Sequence, residues 1–410
     1  MKKLAGFTAI LLTAASVLPT GCRGGSAAQT DSAGKPVYGN IRFSDDYIAE
    51  QPDGKVYTFE MTEHPCLTMQ ALYDLFDQKV EYFYPDVFTA EQKKLLYNVN
   101  GKDGEGEDAD WLPQTEYDAD GNPTVGGFER NKEKLFSGDC PTPWLWFNCD
   151  RGCIQMLPNG SLQSVTCDAA FQINNAGSKT VAMYCAADAN TVTDRIPVPQ
   201  SGFQSSMTRH LLDRDFPLTD AIEKTKQLVN EADRETANPQ FVPDVTEAWV
   251  VDMGNGVYGY HLWLTSVFNG IRIDTSPMKQ GIGLNHEQPD GNTQAKIRLP
   301  GYAFMMESER LDSIMAYGYL RACEISNVQE QQTVISYDEA LQKLSEAVSG
   351  WSDLLISRAD FVYTPHYAET ECSGNADSAW KFLVQNQNDG YDYVFYVHSQ
   401  TGKVEYYKYW

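Results

Sequence analysis

Two stretches near the end of the chain decide the fold class: SYDEALQKLSEAVSG at residues 336–350 and YDYVFYVHSQTGKVEYYKYW at residues 391–410. In the first, Ser336 is typical of a helix N-cap, Glu339 completes a capping box, and Gly350 follows the helix end. In the second, apolar and aromatic residues alternate on both sides of a Thr-Gly turn, which predicts a β-hairpin. A helix packed over an antiparallel sheet is the simplest arrangement that buries both apolar faces.

The second half of the chain repeats this pattern. Both copies open with a helix, since Ala221-Ile222 matches Ala340-Leu341. Further along, Ala248-Trp249 matches Ala379-Trp380, with an insertion in the second copy near residues 367–377. We therefore expect an α+β fold of antiparallel sheets, each packed by a helix, with two repeats preceded by a mixed α+β N-terminal region.

The end of the second copy resembles a known family. Tyr391 to Val404 form a strand, a Thr-Gly turn and a strand, as at the end of PepSY-type domains, where an Asp-Ala-x-Thr-Gly-x-Val run is common. His398 stands about where the family has its Asp, and the first copy has Asn269-Gly270 in place of Thr-Gly. The tandem arrangement is similar to uncharacterised lipoproteins of Gram-positive gut bacteria with PepSY-like repeats. The resemblance implies peptidase inhibition, sensing or protein interaction rather than an enzyme.

The N-terminus is typical of a lipoprotein signal. Two lysines precede an uncharged stretch, residues 4–18, that is shorter than the roughly 20 residues a spanning helix needs. Gly21-Cys22 resembles a lipobox, although Leu18 lies one place before its usual position. We expect removal of residues 1–21 and anchoring at the outer face of the cytoplasmic membrane by a lipidated Cys22. The alternative is an ordinary secretory signal cut nearby.

The chain that follows divides into a tether and three regions. Residues 22–36 are small and polar and should form a flexible tether. Residues 37–205 read as an N-terminal α+β region with cysteine-rich strands, in which residues 67–83 have helical periodicity. The first repeat and a connector occupy residues 206–330, and the second repeat occupies residues 331–410.

Nine cysteines bear on the redox state of an exported chain. Lipidation of Cys22 would leave an even number, which suggests disulfides outside the cytoplasm. Cys149 and Cys153 flank a three-residue loop, and Cys167 and Cys185 flank a turn-like segment, so hairpins would bring both pairs together. A zinc site made of these four thiols and reduced, buried cysteines are the alternatives.

The best metal-binding pattern resembles an EF-hand calcium loop. Asp118, Asp120, Asn122 and Glu129 occupy ligand positions, but Pro123 stands where the loop requires glycine. The same residues are typical of a hairpin turn, which we favour over calcium. The six histidines lack the spacing of zinc hydrolases. We therefore expect no metal site and no cofactor.

Recognisable catalytic motifs are missing from the sequence. It has neither a Gly-x-Ser-x-Gly elbow nor a phosphate-binding Gly-Lys-Ser/Thr. The formal charge of −24 disfavours nucleic acid as a partner. We expect a non-catalytic lipoprotein, attached to the membrane by its lipid, that binds an envelope protein or peptide. A solute-binding lipoprotein of a transporter and a hydrolase without a recognisable motif are the alternatives.

Aromatic residues are dense in the predicted C-terminal hairpin. Tyr396, Tyr407, Tyr409 and Trp410 occur on both of its faces, and exposed Tyr and Trp are enriched at interfaces. These four residues form a predicted interaction surface. The alternative is that one face packs on the preceding helix and the other makes ordinary sheet pairs.

Overall fold

The computed structural model describes most of the chain between Gln29 and Lys408. The described residues are 29–30, 36–37, 39–52, 54–64, 67–83, 97–100, 144–149, 152–156, 159–166, 192–274, 301–315, 323–351, 353–367 and 373–408. Within these ranges, strands are far more abundant than helices.

Three helices lie in the described part of the chain: α1 (Met69–Phe83), α2 (Leu218–Ala232) and α3 (Tyr337–Ala347). Helix α3 begins as predicted, because the Ser336 hydroxyl accepts from the Glu339 N–H while the Glu339 carboxylate accepts from the Ser336 N–H. Helix α2 has Pro217 at its N-cap and no side-chain cap. The capping box is therefore specific to the second repeat.

The strands fall into three groups along the chain. The first group comprises β1 (Gln29–Thr30), β2 (Pro36–Val37), β3 (Ile41–Glu50), β4 (Tyr57–Glu63), β5 (Tyr97–Asn100), β6 (Trp144–Cys149), β7 (Gly152–Met156), β8 (Leu162–Thr166) and β9 (Val192–Pro197). The second group comprises β10 (Thr208–His210), β11 (Asp215–Pro217), β12 (Val242–Gly254), β13 (Val257–Phe268), β14 (Ile271–Ile273), β15 (Gly301–Met305) and β16 (Ser313–Met315). The third group comprises β17 (Cys323–Glu330), β18 (Leu354–Tyr367), β19 (Ser373–Asn386), β20 (Asp392–His398) and β21 (Val404–Lys408).

A helix followed by a four-stranded antiparallel meander recurs along the described chain. In unit 1, α1 precedes β5-β6-β7-β8. In unit 2, α2 precedes β12-β13-β15-β16, with the short strand β14 inserted after the second strand. In unit 3, α3 precedes β18-β19-β20-β21. Units 2 and 3 lie within the two segments that the sequence predicted as repeats, and unit 1 lies in the region predicted to be unrelated.

Further strand pairs join the units into one mixed sheet. Strand β8 pairs antiparallel with β16, so the last strands of units 1 and 2 lie side by side. Strand β14 pairs parallel with β18 and so connects units 2 and 3. Strand β3 also pairs parallel with β18, and β4 pairs antiparallel with both β17 and β19. Strand β9 covers the first strand of unit 2 by pairing with β12.

The predicted fold class, α+β with antiparallel sheets each packed by a helix, is therefore wrong. The structure is mostly strand, and its large sheet mixes antiparallel with parallel pairs. The physical reason is that periodicity indicates which segments are strands but not which strands pair. Strand pairing also crosses the predicted boundaries at residues 205 and 330, and the division into domains stays a prediction.

Two hydrophobic clusters lie beneath the helices. The first combines Leu75 and Phe76 of α1 with Ile222 of α2 and with Ile154 and Leu262 from the sheet, so units 1 and 2 share a core. The second is built around α3. It combines Leu341 of that helix with Phe382 and Phe395 of unit 3. Ile41 of β3 and Phe59 of β4 also belong to it.

The central strands are buried on both faces. On β20, Tyr393, Phe395 and Val397 belong to the cluster under α3, whereas Val394 and Tyr396 belong to a second cluster on the opposite face. We call the side of the sheet away from the helices the far face. Among the described residues, no helix has both the length and the apolar character needed to cross a membrane.

Candidate functional site

A buried ionic network lies where β14 connects units 2 and 3. We call it the arginine network, and it consists of Glu50, Asp244, Arg272, Arg358 and Asp360. Arg272 Nε lies 2.8 Å from Asp244 Oδ2, and Arg358 Nε lies 2.7 Å from Asp360 Oδ1. Glu50 Oε2 lies 3.4 Å from Arg272 Nη1 and 3.6 Å from Arg358 Nη2, so it bridges the two cations.

Backbone carbonyl groups complete the arginine network. The Val198 carbonyl oxygen accepts hydrogen bonds from both Arg272 and Arg358, at 3.0 and 3.4 Å. The carbonyl oxygens of Val245 and Thr246 accept one further bond each. Because the two guanidinium groups are matched by carboxylates and carbonyls, the network serves to hold β3, β12, β14 and β18 together.

Burial sets the protonation behaviour of the glutamate in this network. It raises the pKa of Glu50 above its ordinary value, and the positive charge of Arg272 opposes that shift. Removing either arginine would leave a buried carboxylate with less compensating charge, which is costly. Arg272 and Arg358 are therefore structural partners of Glu50.

A second polar cluster surrounds Asp274, directly after β14. Lys381 Nζ of β19 and the Tyr396 hydroxyl of β20 each donate to one of its carboxylate oxygens. All three side chains are buried on the far face of unit 3. Tyr396 is 3 % exposed, so its predicted place on an interaction surface is wrong. The physical reason is that β20 is a central strand with both faces covered.

Strand β21 is the last strand of unit 3, and its partner among the described strands is β20. The His398 N–H donates to the Lys403 carbonyl at 2.9 Å. In an antiparallel ladder, pairs that exchange hydrogen bonds alternate with pairs that do not. Counting from the bonded pair His398–Lys403, the backbone N–H and C=O groups of Glu405 and Tyr407 point toward β20. Those of Val404, Tyr406 and Lys408 point away from it. We call this side of β21, which no strand of the described chain covers, the open edge. Such an edge is a template for another strand.

Aromatic side chains pack against β21 on the face of the sheet that carries α3. The ring centroid of Trp351 lies 5.1 Å from that of Tyr406, 5.0 Å from that of Tyr393 and 5.5 Å from that of Phe395. The strand is therefore ordered by contacts inside unit 3, which lowers the entropy cost of adding a neighbour.

A side-chain contact also connects β20 and β21. His398 Nε2 lies 3.3 Å from Glu405 Oε2, and Lys403 Nζ lies 2.7 Å from Glu405 Oε1. The hydrogen bond from His398, with the help of Lys403, lowers the pKa of Glu405 to about 2. Glu405 is therefore ionised throughout the neutral range. In the resemblance to PepSY-type domains, His398 stands about where those domains have an Asp.

In unit 2, the edge that corresponds to the open edge is already paired with another strand. There, the last strand β16 carries β8 on the side away from β15, with Ser313 opposite Thr166 and Ile314 opposite Val165. Ile314 and Val165 are both buried. Unit 2 therefore completes its sheet with an antiparallel strand from elsewhere in the chain.

An aromatic cluster on the far face of unit 2 encloses His261. Its ring stacks between Trp249 and Tyr302, at centroid distances of 5.5 and 4.5 Å, and lies 4.8 Å from Trp263. Within the described chain, neither ring nitrogen of His261 has a hydrogen-bond partner, and neither has Trp263 Nε1. Burial lowers the pKa of His261 to about 3, so the ring is neutral.

A buried carboxylate closes the turn between β15 and β16. Asp312 is 0 % exposed, and its Oδ2 accepts from the Met306 N–H at 2.6 Å. Arg310 Nη2 lies 3.4 Å from Oδ1. Burial raises the pKa of Asp312 to about 6.

Most of the predicted site residues lie outside the described residues: Cys22, Asp118, Asp120, Asn122, Glu129, Cys167, Cys185, Tyr409 and Trp410. The predictions on lipidation, calcium and these disulfides are therefore untested. Tyr407 lies on β21. Across the ranges that the structure describes, no group of three or more His, Cys, Asp and Glu side chains is placed to hold a metal ion.

The hairpin of β6 and β7 has a different register from the predicted one. Cys149 lies opposite Gly152, and Cys153 lies opposite Asn148. The loop is therefore two residues long instead of three. The geometric argument for pairing Cys149 with Cys153 does not hold, because the two residues are not opposite each other.

Sequence reasoning missed the buried charges of the far face. The available signal was a charged residue inside an apolar strand, such as Arg272 in Ile-Arg-Ile and Lys381 in Ala-Trp-Lys-Phe-Leu-Val. Charged side chains are almost never buried unless they are paired. Such positions predict a buried ion pair even when its partner is unknown.

Comparisons with known proteins are sparse. No protein-family model and no curated protein matches the sequence. Solved structures that resemble the chain include an uncharacterized protein from Eubacterium rectale ATCC 33656, 11% identical, with a TM-score of 0.46 over 88% of this chain and 91% of that one. They also include the Bacillus megaterium YpeB C-terminal domain, 11% identical, with a TM-score of 0.33 over 84% and 99%. Both TM-scores lie below 0.5, so neither similarity carries functional weight.

Proposed function

We propose that this chain is a non-catalytic lipoprotein of the cell envelope that binds a partner protein or peptide by strand addition at the open edge of β21. The observation that carries the proposal is the pairing of β8 with β16. Strand β21 has the same place in unit 3 that β16 has in unit 2. Its neighbour would come from a partner instead of from the chain itself.

Strand addition suits the open edge for two reasons. Main-chain hydrogen bonds to Val404, Tyr406 and Lys408 would supply affinity, and contacts of the partner's side chains with the two faces of the sheet would supply specificity. The edge is also ordered in advance by the packing of Tyr406 on Trp351. A partner strand therefore meets a surface that needs little reorganisation.

The strand that occupies the edge of unit 2 suggests the chemistry of the partner. Strand β8 has the sequence Leu-Gln-Ser-Val-Thr, in which Leu162 and Val165 are buried. We infer that the partner supplies an extended segment whose apolar side chains pack against the hydrophobic side chains of unit 3. The formal charge of −24 favours a basic or neutral segment over an acidic one.

The cellular setting is part of the proposal. The signal sequence supports export and lipidation of Cys22, followed by a tether. The PepSY-like pattern of the two repeats supports a sensory or interaction role at the envelope. Mass spectrometry of the mature N-terminus tests the anchor: a diacylated Cys22 supports it, and a free amine at another residue overturns it.

The binding proposal is tested by blocking the open edge. Lys408→Pro removes an N–H that points away from β20, so the pairing inside unit 3 is kept. Lys408→Ala removes the same charge and keeps the N–H. We expect affinity capture from envelope extracts, read by quantitative mass spectrometry, to recover the same partner with the wild type and Lys408→Ala. Recovery with Lys408→Pro should fall about tenfold, the effect of roughly 1.4 kcal/mol.

Equal recovery with Lys408→Pro would overturn the proposed function. Thermal unfolding of both variants is the control for folding. If Lys408→Pro melts with the wild-type midpoint and still recovers the partner, the partner does not use the open edge.

A further inference from the structure

The turn between β15 and β16 is closed by the side chain of one buried residue. The Asp312 N–H donates to the Phe304 carbonyl at 2.9 Å, and Asp312 Oδ2 accepts from the Met306 N–H at 2.6 Å. Asp312 therefore connects the two ends of the turn. We call residues 306–312 the acidic turn, because it also contains Glu307 and Glu309.

The acidic turn holds the hairpin of β10 and β11. The Ser308 N–H donates to Asp213 Oδ1 at 3.0 Å, and the Ser308 hydroxyl donates to Asp213 Oδ2. The Leu212 N–H donates to the Met306 carbonyl at 2.8 Å. Opening of the acidic turn would therefore break these contacts with the hairpin.

Charged groups face the acidic turn from each element that packs against it. Glu309 is paired with Arg214 of the hairpin at 2.5 Å and with Lys224 of α2 at 2.9 Å. Within the turn, Arg310 and Glu307 face Asp312 with opposite signs of charge. Arg310 Nη2 also lies 3.1 Å from Glu307 Oε1, so its charge is shared.

Asp312 is the weak point of this arrangement. Its side chain is fully buried, and within the described chain its Oδ1 has no hydrogen bond. An ionised carboxylate in such a place is costly, and a protonated carboxyl group costs less. The energetic balance of the turn thus depends on whether Asp312 carries a proton.

We propose that Asp312 is a pH-dependent clasp: when protonated it keeps the acidic turn closed on the hairpin of β10 and β11, and when ionised it favours the open turn. The closed turn is then the acidic form and the open turn the neutral form. The clasp would make the contacts between the acidic turn and the hairpin of β10 and β11 depend on pH.

The sign and range of the effect follow from the pKa of Asp312, which burial raises from 3.8 to about 6 in the closed turn. A carboxyl group with a raised pKa stabilises the closed form below its ordinary pKa, and this contribution is lost as the pH rises through about 6. A shift of this size changes the opening equilibrium by roughly a hundredfold.

Other carboxylates of the cluster do not share this transition. Hydrogen bonds from Ser308 lower the pKa of Asp213 against the opposing effect of desolvation, and Lys224 lowers the pKa of Glu309. Both stay ionised above pH 5 or so. The hairpin also contains His210, whose Nδ1 lies 2.8 Å from Asp215 Oδ1. The variant His210→Gln is the control for this residue.

Hydrogen exchange of the full chain tests the clasp. Amide protection is measured at about pH 5 and about pH 8, corrected for intrinsic exchange. In the wild type and in His210→Gln, we expect protection of the Met306 and Leu212 amides to fall about tenfold on going to the higher pH. In Asp312→Asn, which keeps an oxygen acceptor without a charge, protection should be the same at both pH values.

Three results would overturn the clasp. Unchanged protection in the wild type is the first, and it needs no variant to fold. Persistence of the pH dependence in Asp312→Asn is the second. Its loss in His210→Gln is the third, because it would assign the transition to the histidine.

Discussion

Units 2 and 3 have the same helix and the same four-stranded meander, but their last strands end differently. In unit 2, β16 has β8 on its outer side, whereas β21 of unit 3 has β20 as its described partner. One element of architecture therefore serves two purposes. In unit 2 it joins parts of one chain, and in unit 3 we propose that it joins the chain to a partner.

The far faces of the two units differ as well. Unit 2 has a neutral, buried His261 among aromatic rings, without hydrogen bonds in the described chain. Unit 3 has Lys381 and Arg358, and both are matched by carboxylates. We therefore expect the paired charges of Lys381 and Arg358 to be essential to the stability of unit 3, and the polarity of His261 in unit 2 to be dispensable.

The largest expected effect breaks the ionic side of that comparison. Arg358→Met leaves Asp360 and Glu50 buried with one cation fewer, which costs about 3–5 kcal/mol in the free energy of unfolding. Urea denaturation measures it. The matched control is Arg42→Met, because Arg42 is 73% exposed in its ion pair with Asp353 and should contribute less than about 1 kcal/mol. Similar losses in both variants would mean that burial does not distinguish the two pairs.

A second prediction sharpens the likeness of the two units. Ile222 of α2 and Leu341 of α3 are 3 % and 0 % exposed and have equivalent places in their helices. Ile222→Ala and Leu341→Ala should each lower the free energy of unfolding by about 2–5 kcal/mol. Denaturant titration is the measurement. A large loss in one variant with a negligible loss in the other would show that the helices are not packed alike.

The third prediction concerns the histidine of unit 2. His261→Phe removes a buried polar ring without hydrogen bonds, so stability should be unchanged or should rise by about 1 kcal/mol. Lys381→Met in unit 3 removes the partner of Asp274 and should lower stability. Thermal unfolding of the two variants compares the far faces directly. A destabilised His261→Phe protein would contradict this, because it would mean that the His261 ring makes a stabilising hydrogen bond.

The smallest expected effect concerns helix capping. Ser336→Ala removes the side-chain cap of α3 and should lower the free energy of unfolding by about 1 kcal/mol. Thr219→Ala, in the first turn of α2, is the control, since α2 has no side-chain cap. Equal effects in both helices would contradict the difference in capping.

Local features of the fold were predictable from the sequence. The periodicity of residues 67–83 predicted α1, and the capping box at Ser336 is confirmed. The Thr-Gly turn is also present, with Gly402 at φ +66°, a conformation that favours glycine. Each of these depends on residues close together in the sequence.

The arrangement of the sheet was not predictable in the same way. Glu50 and Arg272 are separated by 222 positions in the sequence, and no local sequence pattern predicts their contact. The pairing of β8 with β16 also joins residues far apart in the sequence and depends on the whole fold. The candidate site was missed for this reason, since both the arginine network and the open edge are defined by which strands are neighbours.

The openness of β21 is the central claim, and amide exchange of the isolated protein, read residue by residue by NMR, tests it most directly. In β21, the amides of Val404, Tyr406 and Lys408 should exchange rapidly, while those of Glu405 and Tyr407 should be protected by β20. In β16, which lies between β15 and β8, protection should not alternate. Uniform protection along β21 would contradict the account, because it would mean that the edge is already occupied within the chain.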